Sequence, residues 1–161
     1  LPASRVEVVE PHPHAAAIAM AESTANVRYV SELTGEYDIL IATDVFEHVL
    51  DPIGLAAETA QHLPIDGKYL IANCFQPVIQ CHLPQLYHLS IGWVSAMRAM
   101  GLLSIAQVKY ARAYQRGSNL DIKAARKVSI AARKLYPWVG FLPKQIGEAS
   151  MRIFLMSRLG L

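Results

Sequence analysis

The segment Tyr37–Cys74, YDILIATDVFEHVLDPIGLAAETAQHLPIDGKYLIANC, constrains the fold more than any other stretch of this 161-residue chain. It opens with Tyr37–Phe46, whose middle, Ile39–Ala42, is continuously apolar, as in a parallel strand covered on both faces. Asp51-Pro52 then reads as a helix N-cap followed by proline at the first helical position, opening a helix to about His62. Asp66-Gly67 makes the turn into a second apolar strand, Lys68–Cys74. Parallel neighbours need a crossover of this kind, because a tight turn joins only antiparallel strands.

The same alternation continues on both sides. Arg5–Glu10 (RVEVVE) is a short β-branched run ended by Pro11-His12-Pro13. Ala15–Glu22 is Ala-rich and helical, with Pro13 suited to its first turn, and Val27–Val30 is a second short strand. Ser90 is expected to cap a helix over Ile91–Met100, closed by Gly101. Leu102–Ala111 and Ser150–Arg158 read as the last two strands, which form an antiparallel hairpin. Between them, residues 112–149 are expected to form a basic helical insert. On a helical wheel of Asn119–Tyr136, Leu120, Ala124, Val128, Ala131 and Leu135 share one stripe. Lys123, Arg126, Lys127, Arg133 and Lys134 fall opposite. An aromatic loop, Tyr136–Pro143, follows with Trp138 and Phe141. The pattern predicts one doubly wound α/β domain over 1–161, with a mostly parallel sheet, helices on both faces and a C-terminal antiparallel hairpin.

Composition excludes several classes. Apolar residues make up 53% and charged residues 17%, which suits a large core and not disorder. No run approaches the roughly 20 apolar residues of a membrane-spanning helix, and no signal-peptide pattern is seen. Cys74 and Cys81 fit no zinc spacing and are too few for a disulfide scaffold. Reduced, buried thiols are expected, which favours a cytoplasmic protein. The net charge of +2 hides a division: residues 1–80 carry 3 basic and 11 acidic side chains, and residues 81–161 carry 12 and 2. Two surfaces with different partners, or two that complement each other, are implied.

Ligands of open α/β sheets lie beyond the carboxyl ends of the strands, so the residues there are the candidates. Glu10 ends the first strand and can accept two hydrogen bonds from a ribose diol; the plain alternative is a solvated acid before a proline turn. Glu32 can accept from an adenine amino group, with Leu33 packed on the base. Asp44, Glu47, His48 and Asp51 cluster where a buried strand emerges, with the chemistry for acid–base work or a metal. The plain alternative makes Asp51 a cap, Glu47 solvated and His48 bonded to backbone. His48, with an ordinary pKa of about 6.5, is the leading candidate base, and His82 and His88 come second.

As a set, these segments resemble class I S-adenosylmethionine-dependent methyltransferases, in particular the branch with ubiquinone-biosynthesis O-methyltransferases and many sugar and small-molecule methyltransferases. The carriers are the aromatic-Asp strand, the E-H-x-x-D-P turn, the helix ending in Leu, the Gly turn and the apolar strand of Tyr37–Cys74. VEVVEPHPHAAAIAMA and HLSIGWVSAMRAMGLLSIAQV match in order and spacing, so that the likeness covers about residues 5–110. It implies a Rossmann-like fold with S-adenosylmethionine as cofactor: Glu10 on the ribose hydroxyls, Pro11 or His12 beside the adenine, Glu32 and Leu33 at its edge, Thr43 and Asp44 near the methionine moiety, and His48 toward the acceptor. All these groups are expected to converge on one nucleoside-shaped hollow. Some relatives hold a divalent cation where Asp44, Glu47 and His48 stand; the sequence by itself assigns no metal ligand.

The family's first strand and its Gly-rich loop do not occur here, since no G-x-G precedes Glu10. That strand is central in the family's sheet, between Arg5–Glu10 and Tyr37–Phe46. The chain also starts at Leu1 without methionine. The expectation is a portion of a longer protein that binds cofactor poorly alone, or strands paired with a second copy in a homo-oligomer. The leading function is methyl transfer to an oxygen of a small molecule; the alternative is a degenerate methyltransferase-like binding module. A short-chain oxidoreductase is disfavoured because none of the seven Tyr has a Lys four residues on. The stretch 109–134 carries eight Lys/Arg with Asp121 as its one acid. It suits an anionic acceptor, a peripheral membrane surface or, least favoured, nucleic acid; a solvated helix face is the plain reading.

Overall fold

A computed structural model describes residues 5–140 and 144–159; Phe141, Leu142 and Pro143 of the expected aromatic loop lie outside them. The chain divides into two compact units, Leu1–Gly35 and Glu36–Leu161. The first is a small parallel βαβ unit of β1 (Val6–Val8), α1 (Ala15–Glu22) and β2 (Val27–Tyr29), with Val6 opposite Val27 and Val8 opposite Tyr29. Arg28 donates to the nearly sealed Glu7 carboxylate across the pair, and Arg5 adds an ion pair at 3.6 Å. Pro13 stands just before the helix, not in its first turn. His14 is the cap, and its Nδ1 accepts from the Ala16 N–H at 3.2 Å.

The second unit runs β3 (Ile39–Thr43), α2 (Pro52–Ala60), β4 (Lys68–Ala72), α3 (Leu89–Met100), β5 (Leu102–Val108), β6 (Ala111–Arg116), α4 (Ile122–Val139) and α5 (Lys144–Leu159). Its sheet order is β3-β4-β6-β5. β3 and β4 are parallel, and β6 is antiparallel to both of its neighbours. The molecule is therefore mixed α/β, with a parallel two-stranded sheet and a mixed four-stranded one. Asp51 caps α2 as its sequence implies, its Oδ1 accepting from the Gly54 N–H at 2.9 Å with Pro52 opening the helix. Gly101 ends α3 at φ 105°, where a Cβ would meet the Asn119 carbonyl oxygen at 2.1 Å. Only glycine fits there.

Several expectations are corrected. The hairpin closes tightly through Lys109-Tyr110, and the stretch expected as the strand Ser150–Arg158 belongs to α5. Met151 and Leu155 are buried one helical turn apart while Arg152, Ile153 and Met156 are exposed, a helix period inside a short apolar run that fits either structure. The basic helix α4 consequently follows the hairpin and is no insert between strands. Tyr136–Val139 extend it instead of opening the aromatic loop. Ser90 does not cap α3: the helix continues out of a 3₁₀ turn at Pro84–Leu86, and the Ser90 hydroxyl donates to the Tyr87 carbonyl.

The sheet of the second unit is covered unequally. Leu40, Tyr69, Ile71 and Tyr114 are buried, whereas Ile39, Ile41, Leu70, Leu103 and Ile105 stand exposed, Ile41 at 71%. The helices of this unit pack on one another, α3 against α4 and α5, and α2 against α4. The expected helices on both faces are thus not found in this unit: an apolar run makes both faces of a strand hydrophobic without supplying the second layer. α4 buries Ala125, Val128, Ala131 and Ala132 and exposes Lys123, Arg126, Lys127, Arg133 and Lys134, with Arg126 on Asp51 at 2.6 Å. No helix among the described residues is long and apolar enough to cross a membrane.

Two of the contacts between α3 and α4 lend themselves to test. A Cβ on Gly92 would lie 2.5 Å from that of Ala132, so Gly92→Ala should destabilise the fold by about 1–3 kcal/mol; urea titration should show part of that loss recovered by adding Ala132→Gly. The second contact is His88, whose Nδ1 donates to the Gln85 carbonyl at 2.9 Å and whose Nε2 accepts from the Ser129 hydroxyl at 3.0 Å. Burial holds its pKa below the ordinary 6.5, opposed by the Gln85 bond and aided by the Arg133 charge. The unfolded chain therefore takes up a proton that the folded one resists. His88 costs no stability above about pH 6.5, and stability falls as the pH drops below that value. Unfolding at pH 7 and pH 5 should show this loss, and His88→Gln should reduce it.

Candidate functional site

The candidate site of the second unit forms where β3 and β4 end side by side. Thr43 pairs with Ala72, and the Asp44 N–H donates to the Ala72 carbonyl at 2.8 Å. Asp44 then turns the chain in the left-handed region at φ 51°. Phe46 is driven into the core, 4.9 Å from the Trp93 ring, and Glu47 follows it to 1% exposure. Glu47 Oε1 accepts from the Cys74 N–H at 2.7 Å, and the Glu47 carbonyl from the Leu83 N–H at 3.2 Å. One residue thereby fastens both ends of the loop that leaves β4.

Two histidines face each other across this loop, with ring centroids 5.0 Å apart. His48 Nδ1 donates to the Cys81 carbonyl at 3.2 Å and His82 Nδ1 to the Gln76 carbonyl at 2.6 Å. A carbonyl only accepts, so each Nδ1 carries the proton and each Nε2 a lone pair. One ligand atom from each of Glu47, His48 and His82 lies within 4.8 Å of the other two. Glu47 Oε2 is buried with no hydrogen-bond partner among the described residues. An orphaned acceptor of this kind costs about 1–3 kcal/mol.

A Glu47 carboxylate oxygen and the two imidazoles fit a divalent transition cation better than magnesium or calcium, which prefer oxygen ligands. Glu47, His48 and His82 would hold it, and a bound cation would supply Lewis-acid polarisation. Of the acidic residues singled out in the sequence, Asp44 is exposed outside this cluster, and Asp51 serves as cap and ion-pair partner of Arg126. His82 enters where the sequence offers only a second-choice base, because 34 residues of chain separate it from His48. His88 has both ring nitrogens engaged and acts as a tie between helices. Cys74 and Cys81 are free thiols, but neither is buried as the sequence leads one to expect: Cys74 is half-buried and Cys81 exposed on the loop after β4.

Comparison with protein-family models and with curated proteins returns no match.

Glu10, Pro11, His12, Glu32 and Leu33 belong to the first unit. There Glu10 and Glu32 follow the carboxyl ends of the neighbouring parallel strands β1 and β2. Glu10, Pro11, His12 and Glu32 are exposed, Leu33 is half-buried, and Glu10 Oε1 accepts from the His12 N–H at 3.1 Å. Thr43 and Asp44 occupy the corresponding edge of the second unit, both exposed, and His48 is half-buried there.

A cavity of about 130 Å³ shares the loop after β4. Asn73, Cys74 and Phe75 line it from that loop, Trp93 from α3, Tyr110, Arg112 and Tyr114 from the hairpin, and Glu148 from α5. Burial pushes the Tyr114 hydroxyl well above its usual pKa, against the Arg112 charge, and Tyr69 is likewise pushed up to about 12 by burial. Both phenols therefore stay protonated at neutral pH. Cobalt(II) titration should give one-to-one binding with ligand-field bands in the visible, and His82→Gln should weaken it at least about tenfold; an unchanged variant would exclude His82 as a ligand.

Proposed function

We propose that this chain transfers a methyl group from S-adenosylmethionine to an oxygen of a small molecule. The supporting observation is that every parallel strand pair carries its polar candidates at the carboxyl edge: Glu10 and Glu32 after β1 and β2, and Thr43, Asp44, Glu47 and His48 after β3. This is the edge at which open α/β sheets bind nucleotides. In the family that the sequence resembles, a central strand lies between those that correspond to β1 and β3, and β3 forms the edge of its own sheet here.

The cofactor brings a sulfonium leaving group, so the protein's work is alignment and exclusion of water, with alignment worth up to about 7–11 kcal/mol. Glu10 accepts from the ribose hydroxyls, with Pro11 or His12 beside the adenine and Glu32 and Leu33 at its edge. The resemblance assigns Thr43 and Asp44, on the second unit, to the methionine moiety. His48 takes the acceptor's hydroxyl proton on Nε2, the nitrogen left with a lone pair by the bond to Cys81. That lone pair serves a base or a cation, one at a time, so cation binding would move His48 from proton transfer to ligation.

Calorimetry with S-adenosylhomocysteine tests this reading. Weak binding is expected of this chain, reduced at least about tenfold further (about 1.4 kcal/mol) by Glu10→Ala and by Asp44→Ala. No binding, either by this chain or by one extended upstream of Leu1, would favour a methyltransferase-like module that binds a partner without activity.

A further inference from the structure

The outer face of α4 is unusual in what it leaves in solvent. Steps of three or four residues, from Lys123 through Lys127, Ile130 and Lys134 to Trp138, keep these exposed side chains on one face of the helix. Arg126 and Arg133 flank the same face and are exposed as well. At about 1.5 Å per residue the strip runs roughly 22 Å. From residue 122 onward, eight Lys/Arg stand against Glu148 as the single acid. Glu148 is half-buried on α5, where it lines the cavity. Asp51 pairs with Arg126, and the other four cations of the strip have no ion-pair partner among the described residues. Lys123 and Lys127 stand four residues apart, a spacing at which like charges repel. The face therefore calls for an extended anionic partner.

Apolar side chains among the cations narrow the choice. Ile130, in the middle of the strip, is 57% exposed, and Trp138, at its C-terminal end, is 75% exposed. The neighbouring helix α5, packed against α4, exposes Ile153 and Met156. A sugar–phosphate backbone is held by charge and hydrogen bonds, which aliphatic side chains cannot supply. A lipid surface uses both kinds of group at once: Lys and Arg hold the headgroup phosphates while apolar side chains sink toward the acyl boundary. Tryptophan, with an apolar ring and one N–H donor, favours that boundary. The other face of α4 is committed to the core through Ala125, Val128, Ala131 and Ala132, so the helix can lie on a bilayer without leaving the fold.

We infer that the exposed face of α4 docks on the surface of an anionic phospholipid bilayer, with its lysines and arginines on the headgroups and Trp138 at the acyl boundary. Docking of this kind is peripheral and reversible, and it weakens as salt screens the charges. It needs neither cofactor nor cation and stands apart from the methyl-transfer reading.

Co-sedimentation of the intact chain with vesicles tests this at about 0.1 M salt, where the screening length is about 10 Å. Vesicles of phosphatidylcholine with about one-third phosphatidylglycerol are expected to carry the chain down, and vesicles of phosphatidylcholine alone to leave it in solution. The double variant Lys127→Ser, Lys134→Ser should weaken binding at least about tenfold. Both side chains are exposed, so the fold is kept, as circular dichroism will show. Trp138 fluorescence should shift to the blue on the anionic vesicles, over a constant background from the buried Trp93. Trp138→Ser should remove that shift and weaken vesicle binding severalfold while leaving retention on heparin, a polyanion with no apolar phase, unchanged. No sedimentation with the anionic vesicles, equal sedimentation with the neutral ones, or full binding by either variant would each overturn the assignment. Tighter binding to a duplex oligonucleotide than to the vesicles would overturn it in favour of nucleic acid.

Discussion

Phe46 and Glu47 are adjacent residues of opposite chemistry, and both are buried. The aromatic ring belongs in the core, among Tyr69 and Trp93, and a 3₁₀ turn carries the carboxylate down with it. Glu47 is tolerable there because it accepts the Cys74 N–H, a backbone group just past the end of β4 that needs a partner. The corner after β3 and the loop after β4 are thereby held as one piece. His48, His82 and the wall of the cavity all take their positions from it.

Order at this corner contrasts with the opposite side of the sheet. Leu40, Tyr69, Ile71 and Tyr114 are buried, while Ile39, Ile41, Leu70, Leu103 and Ile105 are exposed apolar side chains of the same sheet. Such a set is larger than isolated exposed side chains require, and β3 adds a strand edge beside it. The polar chemistry of this unit is gathered where the parallel strands end, and its apolar excess is spread over the uncovered sheet face.

The elements legible in the sequence are those with a local signal. Asp51-Pro52 opens α2 because a side-chain acceptor and a preset φ act within one turn, and Gly101 closes α3 because a Cβ has no room at its backbone angle. Glu47 and His48 stood out because they lie side by side after an apolar strand. His82 did not, since only the fold of the loop brings it to His48. Ser90 looks like a cap, but the preceding 3₁₀ turn already supplies the start of the helix. The stretch 150–158 reads as a strand for another reason: a short apolar run fits either period, and packing chose the helix.

The amino-acid order alone determined the two crossover units, the caps, the hairpin's first strand and the residues that stand at the carboxyl ends of the parallel strands, because these follow from backbone sterics, short-range hydrogen bonds and the placement of apolar runs. Tertiary structure decided which face of the sheet is covered, that β6 returns between β4 and β5, and that Glu47, His48 and His82 share one corner while Asn73, Trp93 and Tyr114 share one cavity. Those outcomes depend on contacts between residues tens of positions apart, whose energies arise only once the chain has closed on itself.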